Sequence, residues 1–151
     1  FMKKIILGLF LILGAISFAA PKFVDMAKVK NAGYVIKNER EDILTMATSD
    51  DDSAIIISFS TANISSKEIS DLLKSNALRN SENFIATLDN NRAYINEFEA
   101  QGFYSYMIVP KKEKVKNQHT YATYVSSKKL SKNDLSKITN AILDEAESYI
   151  K

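Results

Sequence analysis

The stretch "AYINEFEAQGFYSYMIV", residues 93–109, decides the fold of this chain. Apolar and polar side chains alternate along 93–99, and strand character resumes after Gly102, so the stretch predicts two neighbouring β-strands. The second strand is apolar on both faces. One face must meet the core, and the other requires a helix, a ligand or a second subunit, because large exposed apolar patches are rare on monomers. The first face carries Phe103, Met107 and Val109, and the second carries Tyr104, Tyr106 and Ile108.

Five further runs have the composition of strands and are bounded by polar turns. The turn "DNNR" joins two of the strands, and Pro110 with "KKEKVKNQ" forms a long hairpin tip. The runs are "GYVIK" (33–37), "DILTMAT" (42–48), "AIIISFS" (54–60), "FIATL" (84–88) and "HTYATYV" (119–125).

Three segments have helical spacing: a short one at about 23–31, "NISSKEISDLLKSNAL", and "KLSKNDLSKITNAILDEAESYI". The middle segment begins with a capping box, in which Ser65 accepts the N–H of Glu68 and Glu68 reaches back. Ser131 and Asp134 predict the same cap for the last helix. The buried stripe of the middle helix is expected to be Ile69, Leu72, Leu73 and Ala77, and that of the last Leu135, Ile138, Ile142, Ala146 and Tyr149.

The predicted order is α-β-β-β-α-β-β-β-β-α. Long strand runs with helices between them favour an antiparallel sheet, here of about six or seven strands, with helices packed on it. The fold class predicted from the sequence is therefore α+β, with a short N-terminal helix, a middle helix and a long C-terminal helix.

The first 19 residues have the three parts of a secretory signal peptide. Lys3 and Lys4 precede an apolar run from Ile5 to Ile16, and small residues follow it. Cleavage after Ala19 places small side chains at the two positions that require them. An uncleaved anchor is the alternative, but the run is shorter than the ~20 residues of a membrane span. We expect a signal peptide at 1–19, a single domain at 20–151, a periplasmic or secreted location, and no transmembrane anchor after processing.

Charge and cysteine content narrow the function classes. Removing Lys3 and Lys4 from the 20 basic residues leaves 18, against 18 acidic residues, so the processed chain is formally neutral. Nucleic-acid-binding domains normally have a basic excess, so we expect no nucleic-acid partner. Neutrality also removes a barrier to self-association. The chain has no cysteine, so no disulfide contributes to its stability.

Few polar residues are candidates for chemistry. His119 is the only histidine, and without neighbours at ligand spacing it is expected to be a partly exposed structural residue. Glu97 and Glu99 share a strand face and are expected to point to water. Asp50, Asp51 and Asp52 lack the glycine and alternate spacing of a calcium loop and predict a solvated turn. We therefore assign no catalytic residue, no metal site and no cofactor.

A possible partner surface combines two kinds of residue. The hairpin tip carries four lysines against Glu113, which suits an anionic lipid, a glycan or an acidic partner, although such charge runs are usually only solvated. Tyrosine, half apolar and half polar, is common at interfaces, but a helix could also cover the aromatic strand. The candidate residues are Tyr104, Tyr106, Lys111, Lys112, Lys114 and Lys116.

Part of the chain resembles a known family. The stretch from "VKNAGYVI" through "ISSKEISDLLKSNALRNSENFIATLDNNRAYINEFE", with the capped helix "LSKNDLSKITNAILDEAESYI", is similar to the YbjN-like family, which has the fold of type III secretion chaperones. The resemblance implies a non-catalytic domain that binds other polypeptides, often as a dimer. The larger antiparallel meander of the second half is also similar to PsbP/DcrB-like sandwiches, an exported fold.

Two functions follow as expectations. The first is an exported, non-enzymatic domain of the cell envelope that binds another envelope protein or itself as a homodimer. The alternative is a small-ligand-binding protein or an enzyme with a pocket between the sheet and the C-terminal helix, using His119, Glu97 and Glu99. A filled sheet–helix interface favours the first, and a cavity of several hundred Å³ lined by those groups favours the second.

Overall fold

The computed structural model describes residues 20–88 and 90–151, so the predicted signal peptide at 1–19 lies outside the described residues. Within the described residues, seven strands and three α-helices follow one another in the order that the sequence predicts. The helices are α1 (Met26–Asn31), α2 (Ser66–Arg79) and α3 (Lys132–Ser148). The strands are β1 (Val35–Arg40), β2 (Ile43–Ser49), β3 (Ser53–Thr61), β4 (Asn83–Leu88), β5 (Ala93–Ala100), β6 (Phe103–Pro110) and β7 (Gln118–Ser126).

All seven strands belong to one antiparallel sheet in the order β1-β2-β3-β7-β6-β5-β4. The α+β class and the strand number are confirmed. Strand β7 lies between β3 and β6 and joins the two halves of the chain. A two-residue turn connects β5 to β6, with positive φ angles of 53° at Gln101 and 82° at Gly102. Glycine adopts this conformation without steric cost, which favours a tight hairpin here.

The face of the sheet that α3 covers, called the α3 face, holds most of the core. The register places Leu44 beside Phe59 and Met46 beside Ile57, with all four side chains on this face. Helices α1 and α3 pack against it, and the resulting cluster is closed to solvent. The cluster includes Val29, Leu44, Met46, Ile57, Phe59, Ile95, Tyr106, Ile108, Leu135, Ile142, Leu143 and Ala146.

Helix α2 covers the opposite face, called the α2 face, over β5, β6 and β4. Both faces of β6 therefore lie under a helix. The buried α2 residues are Ser66, Ile69, Ser70 and Ala77, and Ser70 Oγ accepts a hydrogen bond from Asn96 Nδ2 at 3.1 Å. This orientation leaves Leu72 52% exposed, so the prediction that Leu72 is buried is wrong. Apolar spacing alone does not reveal that Ser70 of this helix faces a polar residue of the sheet.

The predicted capping box is complete at the start of α2, and at the start of α3 only its serine half is present. Ser65 Oγ accepts the Glu68 N–H at 3.1 Å, and Glu68 Oε2 accepts the Ser65 N–H at 2.6 Å, which completes the capping box of α2. Ser131 Oγ accepts the Asp134 N–H at 3.1 Å at the start of α3. Among the described residues, none of the helices has the length and apolar character that a membrane span requires.

The segment before α1 is bonded to the segment after α3. Val24 and Ile150 form an antiparallel bridge, and the Asp25 N–H donates to the Tyr149 carbonyl at 2.7 Å. Phe23 packs edge-on against Phe59, with ring centroids 6.4 Å apart. We call residues 21–25 and 149–151 the terminal clamp. The clamp joins the two ends of the described chain through backbone hydrogen bonds and an aromatic contact.

Candidate functional site

His119 is a buried residue of the α2 face, which corrects the expectation of partial exposure. Its side chain is 3% exposed because β7 pairs along its whole length with β3 and the chain leaving β3 passes over it. Nε2 lies 3.1 Å from the Ala62 carbonyl oxygen and 3.3 Å from Glu113 Oε2. A carbonyl can only accept, so Nε2 carries a hydrogen in this arrangement. The ring thus holds the start of the α2 connection.

The hairpin tip between β6 and β7 is folded against α3. Glu113 Oε2, besides facing His119, accepts the Asn117 N–H at 3.1 Å. Lys114 Nζ lies 3.1 Å from Glu147 Oε2, and Arg92 lies 3.3 Å from Glu147 Oε1. Some charged side chains of the tip therefore form ion pairs within the molecule, and the tip does not project as a free basic finger.

The cavity beside His119 is small. It offers about 50 Å³ between the hairpin tip, the end of α3 and Ser66. That volume holds a few water molecules, whereas small-molecule sites usually have 300–1,000 Å³. A larger depression of about 540 Å³ lies beside Ala20, but neither His119 nor Glu97 nor Glu99 lines it. Neither of these two cavities, formed by residues that the structure describes, brings the three residues together as the ligand-binding alternative requires.

Glu97 lies on the α3 face and is only 3% exposed, so the expectation that it points to water is wrong. Helix α3 and the segment before it cover this part of the sheet, which residue alternation cannot reveal. The Tyr106 hydroxyl accepts the Leu130 N–H at 2.8 Å and donates to Glu97. Burial, assisted by this carboxylate, raises the pKa of Tyr106 to about 12. Glu97 therefore helps to hold the entry to α3.

Glu99 is half-buried and serves the turn. Its Oε1 accepts the Gly102 N–H at 3.2 Å, and its Oε2 accepts a hydrogen bond from Asn83 Nδ2 at 3.4 Å.

Two polar atoms remain buried without a hydrogen-bond partner in the described part of the chain, Glu97 Oε2 and Thr139 Oγ1.

The polar candidates do not form one site. Tyr106 pairs with both Glu97 and Tyr124, so all three side chains lie on the α3 face. The register of β7 is unbroken, and His119 is five residues from Tyr124, so the histidine lies on the other face. The sheet itself separates the imidazole from the two carboxylates. His119 therefore forms no acid–base pair with Glu97 or Glu99.

The aspartate triplet closes a turn. Asp50 Oδ1 accepts the N–H groups of Asp52 and Ser53 at 2.8 and 2.7 Å, which fixes the connection between β2 and β3. Over residues 20–88 and 90–151, no group of three or more His, Cys, Asp or Glu side chains is arranged to hold a metal ion.

Fewer of the candidate partner residues are available to a partner than the sequence predicts. Tyr106 is fully buried under the entry to α3, so it is not available to a partner, and Tyr104 is half-buried against the core. Lys114 pairs with Glu147, while Lys111 Nζ lies 5.6 Å from the Tyr94 ring centroid. Lys112 and Lys116 are exposed. Two such charges contribute only about 2 kcal/mol at an anionic lipid surface, too little for stable attachment.

An apolar surface that the sequence interpretation missed lies at one edge of the sheet. Phe84 and Ile85 of β4 are 38% and 36% exposed, and Leu78 at the end of α2 is 50% exposed. Lys74 Nζ stacks 3.9 Å from the Phe84 ring centroid, and Leu78 follows Lys74 one helical turn later. We call Leu78, Phe84 and Ile85 the β4 edge. The signal in the sequence is "NFIATL", a strand without a single charge.

Comparisons with known proteins found no matching family model, no matching curated protein and no matching solved structure.

Proposed function

We propose that the chain is an exported, non-enzymatic domain of the cell envelope that binds a polypeptide, either another envelope protein or a second copy of itself. The observation that carries the proposal is the β4 edge, where apolar side chains remain exposed on an uncharged strand. Exposed apolar surface of this kind is typical of protein-binding sites. The separation of His119 from Glu97 and Glu99 by the sheet argues against the enzymatic alternative.

Export rests on the signal-peptide pattern of residues 1–19. The terminal clamp is compatible with it, because a cut after Ala19 removes none of the residues that pack against Phe59 or bond to Tyr149. Export to the periplasm or beyond is therefore part of the proposal. Mass spectrometry of the exported protein tests it. A mass beginning at Ala20 supports processing, and a mass that includes Met2 to Ala19 contradicts it.

The resemblance to the YbjN-like family points in the same direction, since that family implies a non-catalytic, polypeptide-binding domain. We keep this kinship, with PsbP/DcrB-like sandwiches as the second possibility, as a proposal. In either case no residue role is carried over to this chain, and the proposed function rests on the β4 edge.

A photo-crosslinking experiment in the native envelope tests polypeptide binding. A photoreactive phenylalanine analogue replaces Phe84 in one variant and Lys137, an exposed residue of α3, in a matched control. We expect covalent adducts with a polypeptide at position 84 and none at position 137. Equal yields at the two positions, or none at either, would contradict a binding role for this surface.

A further inference from the structure

Strand β4 ends the sheet and has a neighbour on one side only. It pairs with β5, so the backbone N–H and C=O groups on its outer side have no strand partner within the described chain. Edge strands usually carry charges, prolines or bulges that prevent pairing with another chain. The six residues of β4 include no charge and no proline, and only a register shift between Phe84 and Ala86 interrupts the strand.

We propose that β4 pairs antiparallel with β4 of a second copy of this chain, about a twofold axis normal to the sheet, so that one sheet runs through both copies. This inference deepens the proposed function and rests on it, because it names the polypeptide that the β4 edge binds. In such a pair the exposed side chains of the β4 edge leave water together, and the unpaired backbone groups acquire partners.

The absence of charge on β4 favours a second copy of the chain as the partner of the β4 edge. A strand that lies beside Phe84 and Ile85 must bring no charge that would lose its hydration there. The other free edge, β1, carries Lys37, Glu39 and Arg40, so pairing of β4 with β1 of another molecule would desolvate them. A second β4 brings none. Pairing of like edges also closes the assembly at two subunits, whereas β4–β1 pairing would extend without limit.

Overall charge and shape permit this dimer. The processed chain has 18 basic and 18 acidic residues, so two copies have no net repulsion. Helix α2 lies mainly over β5 and β6, which leaves the outer side of β4 open. A contact through six-residue strands falls in the small size class of interfaces, below about 1,200 Å² in total. We therefore expect a weak dimer whose population depends on protein concentration.

Sedimentation of residues 20–151 over a wide concentration range tests the proposal. We expect a monomer–dimer equilibrium that Ile85→Lys shifts to monomer by at least tenfold in dissociation constant. The matched control is Val35→Lys, which adds the same charge at a 55% exposed position of the other edge and should leave the equilibrium unchanged. Circular dichroism checks that both variants are folded.

Hydrogen exchange on the unmodified protein provides a measurement that needs no variant. The β4 amides should gain protection as the concentration rises, while those of β1 should not. A protein that stays monomeric at the highest concentration, or a dimer that both lysine variants weaken equally, would overturn the inference. If adducts at position 84 in the envelope then contain only a different polypeptide, the proposed function stands without the dimer. If they are absent, both fail.

Discussion

The two edges of the sheet, β1 and β4, differ in the features that discourage pairing with a strand of another chain. Each has a register shift near its start, between Ile36 and Asn38 in β1 and between Phe84 and Ala86 in β4. Half of the β1 residues are charged, and those of β4 are not. Because a bulge is common to both edges, charge is what distinguishes them. Bulges and charged side chains both discourage an edge from pairing with another chain, so β1 has two such devices and β4 has one.

The edges are also held to the rest of the molecule by different bonds. At the start of β1, the Tyr34 hydroxyl donates to Glu145 of α3, and its ring lies edge-on to Tyr149 with centroids 6.1 Å apart. Burial and this carboxylate raise the pKa of Tyr34 well above its ordinary value. Strand β4 is held instead through Asn96, which accepts from Thr87 Oγ1 at 2.8 Å. One edge depends on α3 and the other on a polar contact near α2.

The largest loss of stability is expected from substitutions in the core, which lies between the two edges. Replacing Tyr104 and Tyr106 with Ser removes one fully buried and one half-buried ring from the α3 face. Deletion of the fully buried ring costs about 3–5 kcal/mol and that of the half-buried ring less, against a total of ~5–15 kcal/mol. We expect a protein that is unfolded or melts far lower, measured by thermal unfolding. A folded double variant with normal melting would show that β6 is not part of the core.

Removing the terminal clamp should weaken the β1 half of the molecule. A chain that begins at Met26 lacks Phe23 and Val24, which are 9% and 2% exposed. Burying two such side chains contributes about 3–6 kcal/mol. Urea unfolding should give a loss of that size, whereas a chain that begins at Ala20 serves as the stable reference. Equal midpoints for the two chains would mean that the clamp contributes nothing.

Asn96→Ala should loosen the β4 half selectively. Asn96 is 4% exposed and bonds both Ser70 of α2 and Thr87 of β4, so truncation leaves two hydroxyls unpaired. Loss of a buried polar contact costs about 1–3 kcal/mol. Hydrogen exchange should accelerate in α2 and β4 more than in β1. A uniform acceleration across both edges would contradict the local role of this contact.

The smallest effect concerns the start of α2, at the opposite end of that helix from Leu78. Hydrogen bonds from the backbone and side chain of Ser65 lower the pKa of Glu68. The contribution of the carboxylate is therefore present above the unfolded-state pKa of about 4.3 and is lost as the pH falls through the lower folded-state value. Glu68→Gln should melt slightly below the unmodified chain at pH 6 and coincide with it in strong acid. A difference that persists there would argue against the charge as its cause.

Local signals allowed much of the fold to be predicted. The strand runs, the element order and both serine caps depend on neighbouring residues, and each is present. Non-local pairing was not predictable in the same way. The insertion of β7 between β3 and β6 places His119 and Glu97 on opposite faces, and nothing in the spacing of either residue indicates this. The burial of Glu97 and the exposure of Leu72 likewise depend on helices that are distant in the sequence from the strands they cover.

The terminal clamp has a mechanical consequence. Val24 and Ile150 pair antiparallel, so the chain before Val24 and the chain after Ile150 leave the bridge side by side and in the same direction. A force that pulls them apart therefore opens their hydrogen bonds one after another, as a zipper opens, instead of shearing them all at once. Residues 20–23 and Lys151 therefore lie at the same end of the domain. Tension between them would release Phe23 from Phe59 before the sheet itself bears any load.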